Sequence, residues 1–129
     1  MNAILDDLKI ALGAIGYDVR DEDAPLLDMA VKASEESICN AINQDAVPDG
    51  LHYAWVDRAC GRFLQVKGWT GGLTSDDVDS LTGAQSVSVG DTSVTFNSDD
   101  PPGKRLDALI AALRTSGSDD LNRYRKLVW

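Results

Sequence analysis

The residues able to do chemistry in this chain are few, and their spacing keeps them apart. His52 is the sole histidine, on the first turn of a helix expected from Asp49 or Gly50 to about Lys67, beside Tyr53. A nucleophilic triad needs a serine or cysteine within hydrogen-bond reach of that imidazole and an orienting acid behind it. Cys60 lies further along the same helix, roughly 12 Å up its axis at about 1.5 Å per residue, and is not that partner. A surface-facing histidine is the simpler reading. Asp76, Asp77 and Asp79 resemble the start of a calcium loop, whose pattern asks for Gly at its sixth position and Glu at its twelfth. Counted from Asp76, Leu81 and Val87 stand there, so a solvated, mobile acidic loop over Leu73 to Gly83 is expected instead. Glu35-Glu36 and Asp99-Asp100 are adjacent pairs and do not converge on one substrate. Gly71-Gly72 has neither the following lysine nor the preceding strand of a phosphate loop. The tryptophans are scattered and form no base-stacking platform. The expectation is no catalytic residue, no cofactor and no metal site, hence no enzyme.

Composition narrows the class further. A chain of 129 residues is expected to form one domain, residues 1–129, able to bury about two-thirds of its unfolded surface. No apolar run approaches the roughly 20 residues of a membrane span. The start, MNAILDDLKIALGAIG, lacks a basic leader and carries Asp6 and Asp7, which argues against a signal peptide. Cys39 and Cys60 have no CxxC spacing and read as unbridged, small apolar residues of a protein made in a reducing cytosol.

Charge is uneven. Residues 1–103 hold 18 acids against 6 bases, while residues 104–129 hold 3 acids against 6 bases, for a total of −9. So acidic a body repels nucleic acid, whose binding rests mainly on neutralising phosphates. The basic end either complements the dipole of a helix C-terminus or docks an acidic partner.

Periodicity predicts a mainly α fold: a small bundle of about four to five helices, with a long loop and one β-hairpin inserted before the last main helix. Residues 1–69 form a three-helix core, 70–103 the loop and hairpin, and 104–129 helix four with the basic C-terminal segment. Helix one runs from Asn2 to Ala14, with Ile4, Leu5, Leu8, Ala11, Leu12 and Ile15 in a stripe. Helix two is capped by Asp23, has Pro25 in its first turn, and stops before Pro48. Its core face is Leu27, Ala30, Val31, Ser34, Ile38, Ala41 and Ile42. Helix three carries Leu51, Trp55, Ala59 and Phe63 at four-residue spacing and lies at the centre. Helix four spans Lys104 to Arg114, and a last turn or two places Leu121, Tyr124 and Val128 on one side.

The hairpin is the sharpest local signal. Val87 and Val89 alternate with serines, Gly90-Asp91 turn the chain, and Val94 and Phe96 alternate with Ser93 and Thr95. A two-residue turn pairs Val89 with Thr92, Val87 with Val94 and Gln85 with Phe96, gathering the apolar side chains on one face. A lone hairpin is marginal in water. That face lies either on a helix of the same chain or on another molecule.

The order of these parts resembles the head–tail connector (head-completion or adaptor) proteins of long-tailed bacteriophages and prophages. The residues that carry the likeness are Leu8 to Gly13, Val47-Pro48 with Leu51, Gly72 to Ser75, and Ser88 to Phe96. The insert Asp76–Gln85 departs from that pattern. The resemblance implies a structural, non-enzymatic subunit of the virion neck, made in the host cytoplasm. It implies a homo-oligomeric ring, commonly of about twelve copies, closed by rotation. The ring would dock on the portal protein, extend the channel through which DNA passes unread, and present a surface to the next neck or tail protein. Under that reading Val87, Val89, Gly90, Asp91, Val94 and Phe96 contact a neighbour or partner. Arg123, Tyr124, Arg125, Lys126 and Trp129 then dock the portal. The alternative is a small monomeric acidic module that inhibits a host protein.

Overall fold

A computed structural model describes the backbone of residues 2–83, 86–89, 92–96 and 99–125. Among these residues the chain forms α1 (Asn2–Ile15), α2 (Ala24–Ile42), α3 (His52–Trp69), α4 (Ser75–Thr82), β1 (Ser86–Val89), β2 (Thr92–Thr95), α5 (Pro102–Arg114) and α6 (Ser118–Tyr124). Short 3-10 turns, Asp21–Asp23 and Asp49–Leu51, lead into α2 and α3. The fold is a small helical bundle with one antiparallel hairpin before the last main helix, as the periodicity predicts. Among the described residues no helix is long and apolar enough to cross a membrane.

The α3 helix is the axis of the bundle, with α1, α2 and α5 packed around it. Its residues Val56, Ala59, Cys60, Phe63 and Leu64 are buried and meet Leu8 and Leu12 of α1, Leu27 and Val31 of α2, and Leu109 and Leu113 of α5 in one cluster. A second cluster at the other end of α2 gathers Ile38, Ile42 and Leu51, with Leu121 and Tyr124 of α6 packed on it. Trp55 touches both clusters, and its Nε1 donates to the Val31 carbonyl at 3.0 Å. Of the expected core face of α2, Ala41 alone is exposed.

Helix ends follow local chemistry. Gly16, at φ +107°, turns the chain out of α1, and a Cβ there would lie 2.6 Å from the Ser80 carbonyl oxygen of α4. Only glycine satisfies both the positive φ and the close approach. The α2 helix stops at Ile42, several residues before Pro48, because Asn43 adopts the left-handed conformation (φ 56°) and its amide returns to the Cys39 carbonyl. The α5 helix starts at Pro102, two residues earlier than expected, with proline at the position where a missing amide costs nothing.

The acidic stretch after Gly72 is a helix and not a loop. Thr74 accepts from the Asp77 amide at 3.1 Å, and the Asp77 carboxylate accepts from the Thr74 amide at 3.1 Å. This is a reciprocal capping box, written in the sequence as Thr-Ser-Asp-Asp. Val78 is half-buried and Leu81 fully buried in the main cluster, so α4 is amphipathic despite its three aspartates.

The hairpin has the expected register, Val87 opposite Val94 and Val89 opposite Thr92. The turn residues Gly90 and Asp91, and the Gln85 end of the pairing, lie outside the described residues. The α1 helix packs on β1, and α5 packs on β2. Phe96 is buried in the main cluster and Val94 packs on its edge. The Arg105 guanidinium lies 5.6 Å from the Phe96 ring centroid, capping it with a cation–π contact.

Truncating Phe63, fully buried at the centre, is expected to cost more than truncating half-buried Trp55. Phe63→Ala is expected near the upper end of the about 3–5 kcal/mol range and Trp55→Ala near the lower. Urea unfolding of the two variants checks the order.

Candidate functional site

The densest set of titratable groups sits where the α1–α2 link, the end of α3 and the start of α4 meet. Asp23 occupies the N-cap position of α2, as the sequence predicts, yet makes no cap hydrogen bond within that helix. Its carboxylate turns inward, where it is 1 % exposed. There it accepts from the Tyr17 hydroxyl at 2.7 Å, from the Arg20 amide at 3.0 Å, and from the Lys67 ammonium. Lys67 is itself buried, and its aliphatic stem lies along Gly72. Next to this group Arg20 Nη2 donates to Asp77 Oδ1 at 2.8 Å. The Tyr17 ring stands edge-on to Phe63, with centroids 5.4 Å apart, joining the polar group to the core.

Burial alone would push the Asp23 carboxyl up. The Lys67 ammonium, the Arg20 amide and the Tyr17 hydroxyl together outweigh it and hold the group below the usual carboxylate range. Burial would likewise lower Lys67, but bonding to Asp23 and Tyr17 raises it. Tyr17 is raised, first by burial and then by its hydrogen bond to Asp23. Asp77 follows Asp23: burial raises it, and bonds from Thr74 and Arg20 leave it lowered. Every member is thus held in the charge state that its neighbours satisfy. A buried acid, base and phenol resemble a proton-transfer set, but the cluster is closed off and holds the helices together.

His52 is not simply surface-facing. Its Nε2 lies 2.6 Å from Asp7 Oδ2 of α1, and its ring meets Trp55 edge-on at 6.5 Å. No third group completes a triad among its described contacts. Cys60 is fully buried, and burial pushes its thiol far up, which makes it inert as a nucleophile. Both cysteines are free. Among the described residues no three metal-ligating side chains cluster.

The residues expected to meet partners divide in two. Val94 and Phe96 are taken up by the chain's own core, so the hairpin's apolar face is covered at least there by its own subunit. The exposed side is Ser86, Ser93 and Thr95. Val87 and Val89 lie in β1, while their side chains lie outside the described set. In the C-terminal segment Tyr124 is half-buried on Ile38, Ile42 and Leu51, and its carbonyl accepts from Gln44 Nε2. Tyr124 is therefore an internal anchor. Arg123 is exposed, with Asp120 at 3.8 Å, and Arg125 is exposed and extended. Lys126 and Trp129 lie outside the described residues.

Periodicity gave no hint of an apolar groove between the end of α3 and α5. It is an open trough of about 790 Å³ walled by Leu64, Gly68, Trp69, Leu106, Ile110 and Ala111. Trp69 is 73 % exposed at its rim. Exposed large apolar side chains elsewhere include Ile10 of α1 and Tyr53 of α3. The signal in the sequence was Trp69 falling off the core stripe of α3. Comparison with protein-family models, with curated proteins and with solved structures returned no match.

The polar clamp sets the pH window of stability. Asp23 and Asp77 titrate lower when folded, so their contribution is complete above about pH 4 and is lost as pH falls through their folded values. Lys67 titrates higher when folded, so its share is complete below about pH 10 and is lost as pH rises through its folded value. Chemical denaturation across pH is expected to show both flanks, with the acid flank flattened in Asp77→Asn. Lys67→Met leaves Asp23 buried without its cation and is expected to cost about 3–5 kcal/mol at neutral pH.

Proposed function

We propose that this chain is a structural subunit of a bacteriophage neck, a head–tail connector that assembles as a homo-oligomeric ring on the portal. The observation that carries the reading is the order of its parts. Three helices are followed by the Gly-Leu-Thr-Ser segment, by the Ser-Val-Ser-Val-Gly-Asp-Thr-Ser-Val-Thr-Phe hairpin, and by one more main helix.

Two physical features support it. A wall that DNA must pass without sticking is best built from carboxylates, and residues 1–103 carry 18 of them against 6 bases. A ring also needs two complementary surfaces on each subunit. One is the α3–α5 groove, whose α5 wall carries Leu106 and Ile110 alongside Asp107 and Arg114. The other, on a second copy, is the exposed Ile10 of α1 with exposed Asp6 on the same helix. An exposed apolar knob fits an apolar trough.

The hairpin's part in this reading changes with its packing. With Phe96 committed to the core, it offers a neighbour the polar face of Ser86, Ser93 and Thr95 and the unpaired edges of a two-stranded sheet. The portal-docking part falls to exposed Arg123 and to the residues beyond the Tyr124 anchor, Arg125 to Trp129. DNA passes through the ring and is not specifically bound.

Light scattering of the purified chain, alone and with portal protein, tests the assignment. A ring, formed alone or on the portal, is the expected result. A monomer under both conditions favours the acidic inhibitor module instead. Trp69→Ala is expected to change folding stability by no more than about 0.5 kcal/mol, as at other exposed sites, while weakening assembly. Deleting residues 125–129 is expected to leave the fold intact and weaken portal binding. Deleting 118–129 also strips Leu121 and Tyr124 from the second cluster and is expected to destabilise the bundle.

A further inference from the structure

Three arginines meet in one small cavity of this acidic protein. Arg58 and Arg62 stand one turn apart on α3, Arg114 closes α5, and Ser34 and Ser37 of α2 complete the wall with Ala33. The cavity measures about 60 Å³. No Asp or Glu is among the described residues that line it. The arrangement is held in place. The Arg58 Nε donates to the Ser116 carbonyl at 2.8 Å, and Arg114 Nη1 donates to Gln65 Oε1 at 2.6 Å. The α5 helix is drawn onto α3 at Gly61, where a Cβ would lie 2.8 Å from Arg114 Cγ and 2.9 Å from Leu113 Cβ. That close approach brings the third guanidinium beside the other two.

We infer that this cavity is a binding site for a single phosphate-type oxyanion, held by Arg58, Arg62 and Arg114 with the hydroxyls of Ser34 and Ser37. The Arg62 Nε is enclosed, with no hydrogen-bond partner among the described residues, and so is a donor awaiting an acceptor. Arg58 is lowered first by burial and then by the charge of Arg114, which places two of the guanidinium groups close together. An anion in the cavity supplies the acceptor that the Arg62 Nε lacks. A carboxylate brings one negative charge to three cations. A phosphate brings close to two, and tetrahedrally disposed oxygens for guanidinium forks and hydroxyls approaching from three helices. The small volume favours one such group over a larger ligand. The inference does not depend on the neck assignment, since it concerns a site within one subunit.

Isothermal titration of the full chain with inorganic phosphate, at ionic strength matched with chloride, tests it. Saturable one-to-one binding is expected. Arg62→Gln removes a charge-assisted contact and is expected to weaken binding about ten- to a hundredfold. Ser37→Ala, at an exposed position, is expected to weaken it several-fold in a protein that melts like the parent, which covers the case of an unstable Arg62 variant. Arg123→Gln, away from the cavity, is expected to bind like the parent. Absence of saturable phosphate binding, unchanged affinity in both cavity variants, or acetate binding as tightly as phosphate would each overturn the assignment.

Discussion

The buried Asp23–Lys67 pair is the constraint around which the bundle is arranged. Removing two charges from water is expensive, and their attraction repays the cost only when the remaining lone pairs and protons also find partners. Here the Tyr17 hydroxyl and the Arg20 amide supply what Lys67 leaves unfilled on Asp23. Because these partners come from the α1–α2 link and from α3, full satisfaction exists in only one relative placement of those segments. Apolar packing tolerates small slips between helices, whereas a half-met buried network does not. Replacing the whole pair by apolar groups would cost less than breaking it, since the expense lies in a charge left alone.

Neighbouring interactions extend that specification outward. Arg20 reaches Asp77, which also closes the cap of α4, so one carboxylate both starts a helix and fixes it to the link. Gly16 lets the α4 backbone approach the end of α1. The hairpin packs on α1 and α5 and sends Phe96 into the same core that Phe63 fills from α3. The buried pair thus positions α4, while α1 and α5 position the hairpin. If the chain works in a neck, the element presented to a neighbour is then held by covalent sequence and by packing together.

Much of this was readable in the residues. The stripes of α1, α2 and α3 named their buried faces, with Ala41 the one position that turned outward. The hairpin register followed from alternation and a two-residue turn. What was lost was lost for identifiable reasons. Residues 75–82 looked like loop because three aspartates mask the apolar positions Val78 and Leu81, although the Thr74–Asp77 cap was in plain view. Asp23 stands at the expected cap position but serves a buried ion pair, since a cap and a buried ion-pair member share one residue type. The cover over Val94 and Phe96 was undecidable from pattern alone, because alternation shows that a face is apolar and not what lies on it. The arginine cavity was invisible, since it joins residues from three helices by a contact at Gly61 that no periodicity records.

The most extensive helix pairing, α3 with α5, is made by segments with α4 and the hairpin strung between them. Closing so long an excursion costs little more than closing a shorter one, about 0.6 kcal/mol for each doubling of its length. Leu81 and Phe96 are nevertheless stitched into the interior, so the excursion is not free along all of its length. A change in its length is therefore cheap only where it leaves those two side chains seated. Within that condition the ribbon can vary while α3 and α5 keep their contact.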